Sequence, residues 1–138
     1  MVSTINMQDM RYLNLFRRTT KIHTRFCFKY NEAIIFCVPQ RLVSKAVGEE
    51  GKNVKQISRI LRKRIKIVPS PKGIQDAKKF IEAVISPTTF KDLEIKDNEL
   101  IITAGSQNKA ALIGRNKRRF LEMQRIVKDF FKKEFRIV

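Results

Sequence analysis

The sequence predicts an α+β protein built from one αββααβ unit used twice, each copy a three-stranded sheet packed against helices. Three observations carry that prediction. The 138 residues divide at "PSPKG" (69–73), a break holding two prolines, a serine and a glycine. On each side of the break the hydrophobic pattern runs helix, strand, strand, helix, glycine turn, helix, strand. Superposing Gly48 on Gly114 then brings Val47 onto Ile113, Val54 onto Phe120, Ile57 onto Met123 and Ile60 onto Ile126. The expected domains are 1–69 and 70–138.

In the first copy Asn6 is placed to cap a helix running to about Thr19. Met10, Leu13 and Phe16 fall on its inner face and Asp9 in its first turn. The stretch "TRFCFKYNEAIIFCVP" (24–39) alternates Phe26, Phe28 and Tyr30, turns at Asn31-Glu32 and returns as an apolar strand ended by Pro39. That is a hairpin pattern. A short helix over about 41–47 leads into "GEEG" (48–51). A longer helix follows with Val54, Ile57, Ile60 and Leu61 at helical spacing, and "RIKIV" (64–68) alternates as a strand.

The second copy repeats this order. Residues 74–86 place Ile74, Ala77, Phe80, Ile81, Val84 and Ile85 on one helical face before Pro87. "FKDLEIKDNELIITA" (90–104) is a hairpin turning at Asp97-Asn98. "QNKAALIGRNKRRF" (107–120) gives a short helix, a loop opening at Gly114 and the start of a long helix bearing Phe120, Met123, Ile126, Val127 and Phe130. "FRIV" (135–138) is the last strand. The closing strands align only if this last helix is about four residues longer than its counterpart, roughly one turn, which keeps its buried face in register.

Charge narrows the function. Thirty Lys and Arg against thirteen Asp and Glu give a formal net charge of +17, which favours a polyanionic partner. A membrane surface fits poorly: the chain has no Trp, and its aromatics fall at core spacing. No apolar run approaches the roughly 20 residues of a bilayer span, and the N-terminal stretch has no basic-then-apolar signal pattern. Cytoplasmic localisation is therefore expected. Cys27 and Cys37 are too few for a disulfide framework or a zinc site; they are expected as two small buried thiols, with a bridge between them on the hairpin as the minority reading. No cofactor is expected.

The motif that carries chemistry is a short helix, Gly-x-x-Gly and a second helix. Glycines let backbone approach a sugar-phosphate strand closely, and the following helix aims its unpaired N–H groups at phosphates. Placed between two amphipathic helices, followed by a strand and repeated, it resembles the K-homology (KH) module in its helix-first, type II arrangement. Four stretches, "RYLNLF" (11–16), "KAVGEEGKNVKQI" (45–57), "FIEAVISPTTF" (80–90) and "ALIGRNKRR" (111–119), make the whole chain resemble the tandem KH region of the transcription factor NusA in its short archaeal form. The resemblance implies two tandem type II KH domains without the N-terminal and S1 domains of the bacterial factor. It further implies single-stranded RNA binding in transcription elongation or termination. RNA polymerase is expected as a further partner, and the chain is expected to be a monomer.

Two departures stand against that family pattern. Lys117 replaces the second glycine of the second loop, so Arg115, Lys117, Arg118 and Arg119 are expected to hold RNA by side-chain charge more than by close backbone contact. Glu49 and Glu50 occupy the middle of the first loop. Three readings of that pair stay open: carboxylates stabilising a helix start against its dipole, a first domain with a reduced grip on phosphate, or a metal site, of which the first is preferred. The expected RNA-binding residues are Lys45, Gly48, Glu49, Glu50, Gly51, Lys52 and Asn53 around the first loop, and Lys109, Gly114, Arg115, Asn116, Lys117, Arg118 and Arg119 around the second.

Other features read as structural. His23 has no acid or serine arrangement near it and is expected on the surface. Phe120, Met123, Phe130 and Phe131 have helical spacing and are expected in the core, not as a stacking platform. Asp92, Glu94, Asp97 and Glu99 crowd one hairpin, but alternation puts Asp92 and Glu94 on its solvent side, so no metal-nuclease site is expected. The chain is thus expected to bind without catalysis. The alternative to a NusA-like factor is a KH protein of the ribosome or its assembly.

Overall fold

The computed structural model describes residues 7–138; the cap expected at Asn6 lies outside them. The elements run α1 (Met7–Thr20), β1 (Phe26–Tyr30), β2 (Ala33–Val38), α2 (Val43–Val47), α3 (Lys52–Leu61) and β3 (Arg64–Pro69). They continue as α4 (Ala77–Ile85), β4 (Asp92–Lys96), β5 (Glu99–Thr103), α5 (Ser106–Ile113), α6 (Arg118–Phe131) and β6 (Glu134–Ile137). The described chain falls into two compact units that part between Ser70 and Pro71.

Each unit carries one three-stranded sheet, ordered β1-β2-β3 in the first and β4-β5-β6 in the second. In both, the hairpin pair is antiparallel and the third strand joins parallel to the middle one. Asn31 and Glu32 both take positive φ, 50° and 66°, the mirror-image turn whose twist matches a two-residue hairpin. The middle strand β2 is buried at every position, which is why it reads as an unbroken apolar run and not as an alternation. The last helix has 14 residues against 10 for α3, the extra turn that the alignment of the closing strands requires.

In the unit before Ser70, the fully buried Phe16 stacks on Phe36 with ring centroids 4.5 Å apart. Tyr12, Leu15, Ile22, Ile34, Val38, Ala46 and Ile57 complete that core. The buried Thr20 is satisfied locally: its hydroxyl donates to the Phe16 carbonyl at 2.8 Å and accepts the Ile22 N–H at 3.1 Å. In the other unit α4 buries Ala77, Phe80, Ile81, Val84 and Ile85. Phe80 lies 4.9 Å from Phe130 and 5.9 Å from Phe131, and Phe120 lies 5.8 Å from Phe135. Of the four residues expected in that core Met123 is buried, whereas Phe120, Phe130 and Phe131 are half-buried at its margin.

Three apolar residues expected inside are exposed: Met10 and Ile60 at 54% and Ile74 at 38%. The inner stripe of α1 is Tyr12, Leu15, Phe16 and Thr20, turned away from the Met10–Leu13–Phe16 line because a tyrosine and a threonine supply part of it. Ile74 lies in a 3-10 turn ahead of α4 and so does not share that helix's face. His23 is exposed, as are Asp92 and Glu94. Glu94 pairs with Lys96 at 3.4 Å, a solvated contact worth little.

Both cysteines are free, Cys27 half-buried and Cys37 buried. The register pairs Cys27 with Phe36 and Phe26 with Cys37, so the two thiols leave the sheet on opposite faces. Burial, with Asp9 adding to it, pushes the Cys27 thiol up to about 12; burial also raises Cys37, with Cys27 adding to it. Thiolate is the reacting form. Native protein is therefore expected to alkylate far more slowly than a free thiol at pH 8, and both cysteines to react at once in denaturant. Because the folded values lie above the ordinary 9.0, the stability from keeping the thiols neutral is full below about that pH and is lost as pH rises toward 12. Fast labelling of native protein at pH 8 would contradict this placement.

Candidate nucleic-acid interface

Each unit turns from a short helix into a long one through a loop of the same backbone shape. After Val47 the N–H of Gly48 closes α2 on the Ser44 carbonyl at 3.0 Å, and the N–H of Gly51 returns to the Gly48 carbonyl at 3.0 Å. After Ile113 the N–H of Gly114 bonds Ala110 at 3.0 Å, and that of Lys117 bonds Gly114 at 3.2 Å. The dihedrals run in parallel. Gly48 (φ 85°, ψ 164°) matches Gly114 (76°, 174°), and Glu50 (54°, 30°) matches Asn116 (56°, 29°). Gly51 (74°, 19°) matches Lys117 (61°, 22°). Two successive left-handed residues thus precede each long helix.

The first glycine of each loop is required twice over. Its φ and ψ lie in a region that only glycine occupies readily. A Cβ on Gly48 would also stand 2.9 Å from the Asn53 backbone nitrogen, and one on Gly114 would stand 2.9 Å from Arg119 Cγ. The second glycine is required only for its φ. A Cβ on Gly51 would meet nothing nearer than Lys55 Cε at 3.8 Å, so the matching position accepts Lys117 at a left-handed cost of roughly 1 kcal/mol. Lysine there leaves the loop's shape intact. Lys117→Gly is accordingly expected to raise the stability of that unit by up to about 1 kcal/mol while weakening anion binding, a split that thermal melts and a binding titration would separate.

A second link is shared by the two loops. Asn53 Nδ2 donates to the Lys45 carbonyl at 3.3 Å, and Arg119 Nη1 donates to the Ala111 carbonyl at 2.9 Å. Asn53 and Arg119 occupy matching positions when Gly48 is laid on Gly114, and so do Lys45 and Ala111. Each tie runs from the helix after the loop to the helix before it, holding the turn closed. Sequence reasoning grouped Arg119 with the loop's outward cations; its half-buried guanidinium spends a donor inside the protein. Nothing in residue type announced that an amide and a guanidinium do the same work, and only the superposition pairs them.

Around this frame the first loop exposes Lys45, Glu49, Glu50 and Lys52, and the second exposes Arg115, Asn116, Lys117 and Arg118, with Lys109 half-buried. Glu49 and Glu50 do not stand in the first turn of α3. They belong to the 3-10 turn ahead of it, and Gly51 is the cap residue of the helix, with no side-chain cap bond. The pair thus stands just ahead of the cap, with the Lys52 N–H on the Glu49 carbonyl, and not within the helix's own first turn. Among the described residues no group of three or more His, Cys, Asp or Glu is placed to hold a metal ion, and no helix is long and apolar enough to cross a membrane.

No family profile matches the chain. Over 100 residues it is 26% identical to the "Probable transcription termination protein NusA" of Methanococcus vannielii, an alignment covering 71% of this chain and 56% of that protein. The chain thus spans little more than half the length of this curated relative. In fold it is similar to the crystal structure of APE1850, with a TM-score of 0.68 at 18% identity over 96% of this chain and 99% of that one. At that identity the second likeness speaks to fold alone. In sequence, then, this chain is similar to an archaeal protein of the NusA type.

Proposed function

We propose that the chain is a non-catalytic, RNA-binding transcription factor of the NusA type, with one type II KH domain over 1–69 and another over 70–138. The observation that carries this reading is the loop pair: the same glycine-led, twice left-handed turn between two helices, built independently in each unit. Such a turn lets a sugar-phosphate strand approach backbone, with the first N–H groups of α3 and α6 beyond it. The name of the relative in M. vannielii supports the transcription role over the ribosomal alternative, and RNA polymerase is the protein partner this role entails.

The two loops divide the work. The first offers two glycines and bare backbone but carries Glu49 and Glu50; the repulsion of either from a phosphate about 6 Å away stays under about 1 kcal/mol in water. The second gives up a glycine and surrounds the same turn with cations. Fluorescence anisotropy with labelled RNA tests the proposal. Single strands are expected to bind better than duplex, with log affinity falling linearly against log salt at about 0.7 per phosphate neutralised. Salt-independent binding, or preference for duplex, would refute it. Magnesium is expected to elicit no cleavage of the RNA; divalent-dependent cleavage lost on changing Asp92 or Glu94 would count against a purely binding role.

A further inference from the structure

The exposed Ile60 marks a feature that the loops do not use. A cleft of about 240 Å³ opens between α1 and α3, its apolar lining supplied by Tyr12, Leu15, Ile60 and Leu61 and its polar lining by Arg11, Asn14 and Arg18. A wider depression adjoins it, sharing Asn14 and Arg18 and adding Arg17 and Lys21. Neither is lined by an acidic residue. Ile60 and Leu61 close the C-terminal end of α3, whereas the glycine loop precedes its N-terminal end. At 1.5 Å per residue the cleft lies about 12 Å along the helix from the loop.

We propose that this cleft is an additional nucleotide subsite, taking one unstacked base of the single strand that the loop at 48–51 grips. The inference rests on the RNA-binding reading and adds a contact beyond the glycine turn. An apolar floor accepts the flat face of a base, and guanidinium planes stack on bases as aromatic rings do. Arg11 and Arg18 flank that floor, and the Asn14 amide offers a donor and an acceptor to a base edge. Arg17 and Lys21 in the adjoining depression suit the phosphate that follows. A helical peptide would instead need a groove with successive anchors at i, i+3, i+4 and i+7, where this site offers one compact pocket.

The test compares the full chain with Ile60→Asn, which alters no charge, and with Arg18→Gln. Both positions are exposed, so melting curves should not move. Lys78→Gln, at an exposed position on α4, is the charge-matched control. Affinity is measured for single-stranded RNA of about four nucleotides, the length one KH groove takes, and for a strand about three times longer. Ile60→Asn and Arg18→Gln are each expected to weaken the longer RNA by about tenfold, the scale of one stacked base, and to leave the short one unchanged. The control should do neither.

Unchanged binding of the longer RNA by Ile60→Asn, or equal loss for both lengths, would overturn the subsite while leaving the loops in place. Failure of the unaltered chain to bind either length would overturn the RNA reading itself. An acidic amphipathic peptide that binds the unaltered chain and is lost in Ile60→Asn, with RNA binding unaffected, would assign the cleft to a protein partner and also overturn the proposal.

Discussion

Gly48→Ala is expected to destabilise the first unit by about 2–3 kcal/mol, because the new methyl meets two obstacles at once. The backbone at Gly48 sits at φ 85°, ψ 164°, where an alanine is strained whatever surrounds it. The added Cβ would also stand 2.9 Å from the Asn53 backbone nitrogen, an atom fixed in the first turn of α3 and unable to swing aside. The same collision pulls on the Asn53–Lys45 tie, so RNA binding at that loop should fall along with stability. Gly51→Lys, three residues on, is the contrasting change. It meets only the flexible Lys55 Cε at 3.8 Å and a left-handed cost of about 1 kcal/mol, and it copies what the second loop already contains. Thermal melts of the two variants side by side decide the matter: equal losses would mean that the loop's shape does not depend on the first glycine in particular.

Arg115→Asp combined with Lys117→Asp is expected to reduce single-stranded RNA affinity roughly thirtyfold, on the order of 1 kcal/mol for each of the two charges reversed near phosphate. Gly51→Asp should cost less, since it adds one carboxylate to a loop already holding two. Asp is among the residues that tolerate the left-handed region, so Lys117→Asp keeps the turn and changes its charge alone. A greater loss from Gly51→Asp than from the double change would show the first loop to be the stronger grip and reverse the proposed division of labour.

The order of elements was legible because two periods, of helix and strand, alternate cleanly on both sides of "PSPKG", and because the two copies check each other. The glycine turns were legible as well, whereas the positive φ of Lys117 shows only in the structure. Sequence could not supply how far a neighbouring helix reaches. Met10 and Ile60 have the right spacing for an inner face, yet both stand exposed, because periodicity gives a direction and not the extent of whatever covers it. Nor could it place Glu49 and Glu50 relative to the helix. The residues that begin α3 look continuous with "GEEG" in composition, and only the dihedrals show that the chain reverses hand twice before the helix starts. The Asn53 and Arg119 ties were hidden for another reason: their acceptors are backbone carbonyls, which carry no residue identity.

The extra turn of α6 fixes which changes of length a unit of this kind survives. Adding one residue within that helix would swing everything after it through about 100°, carrying Ile126 and Val127 from the core toward water. Adding four returns the chain to within about 40° of its former direction and delivers Phe135 to the strand still facing inward. The descendants of a unit like this can therefore lengthen at one place in whole-turn steps, and the two copies of this chain stand one such step apart. An engineer wishing to move β6 outward from the loop has the same increments to choose from, and no others.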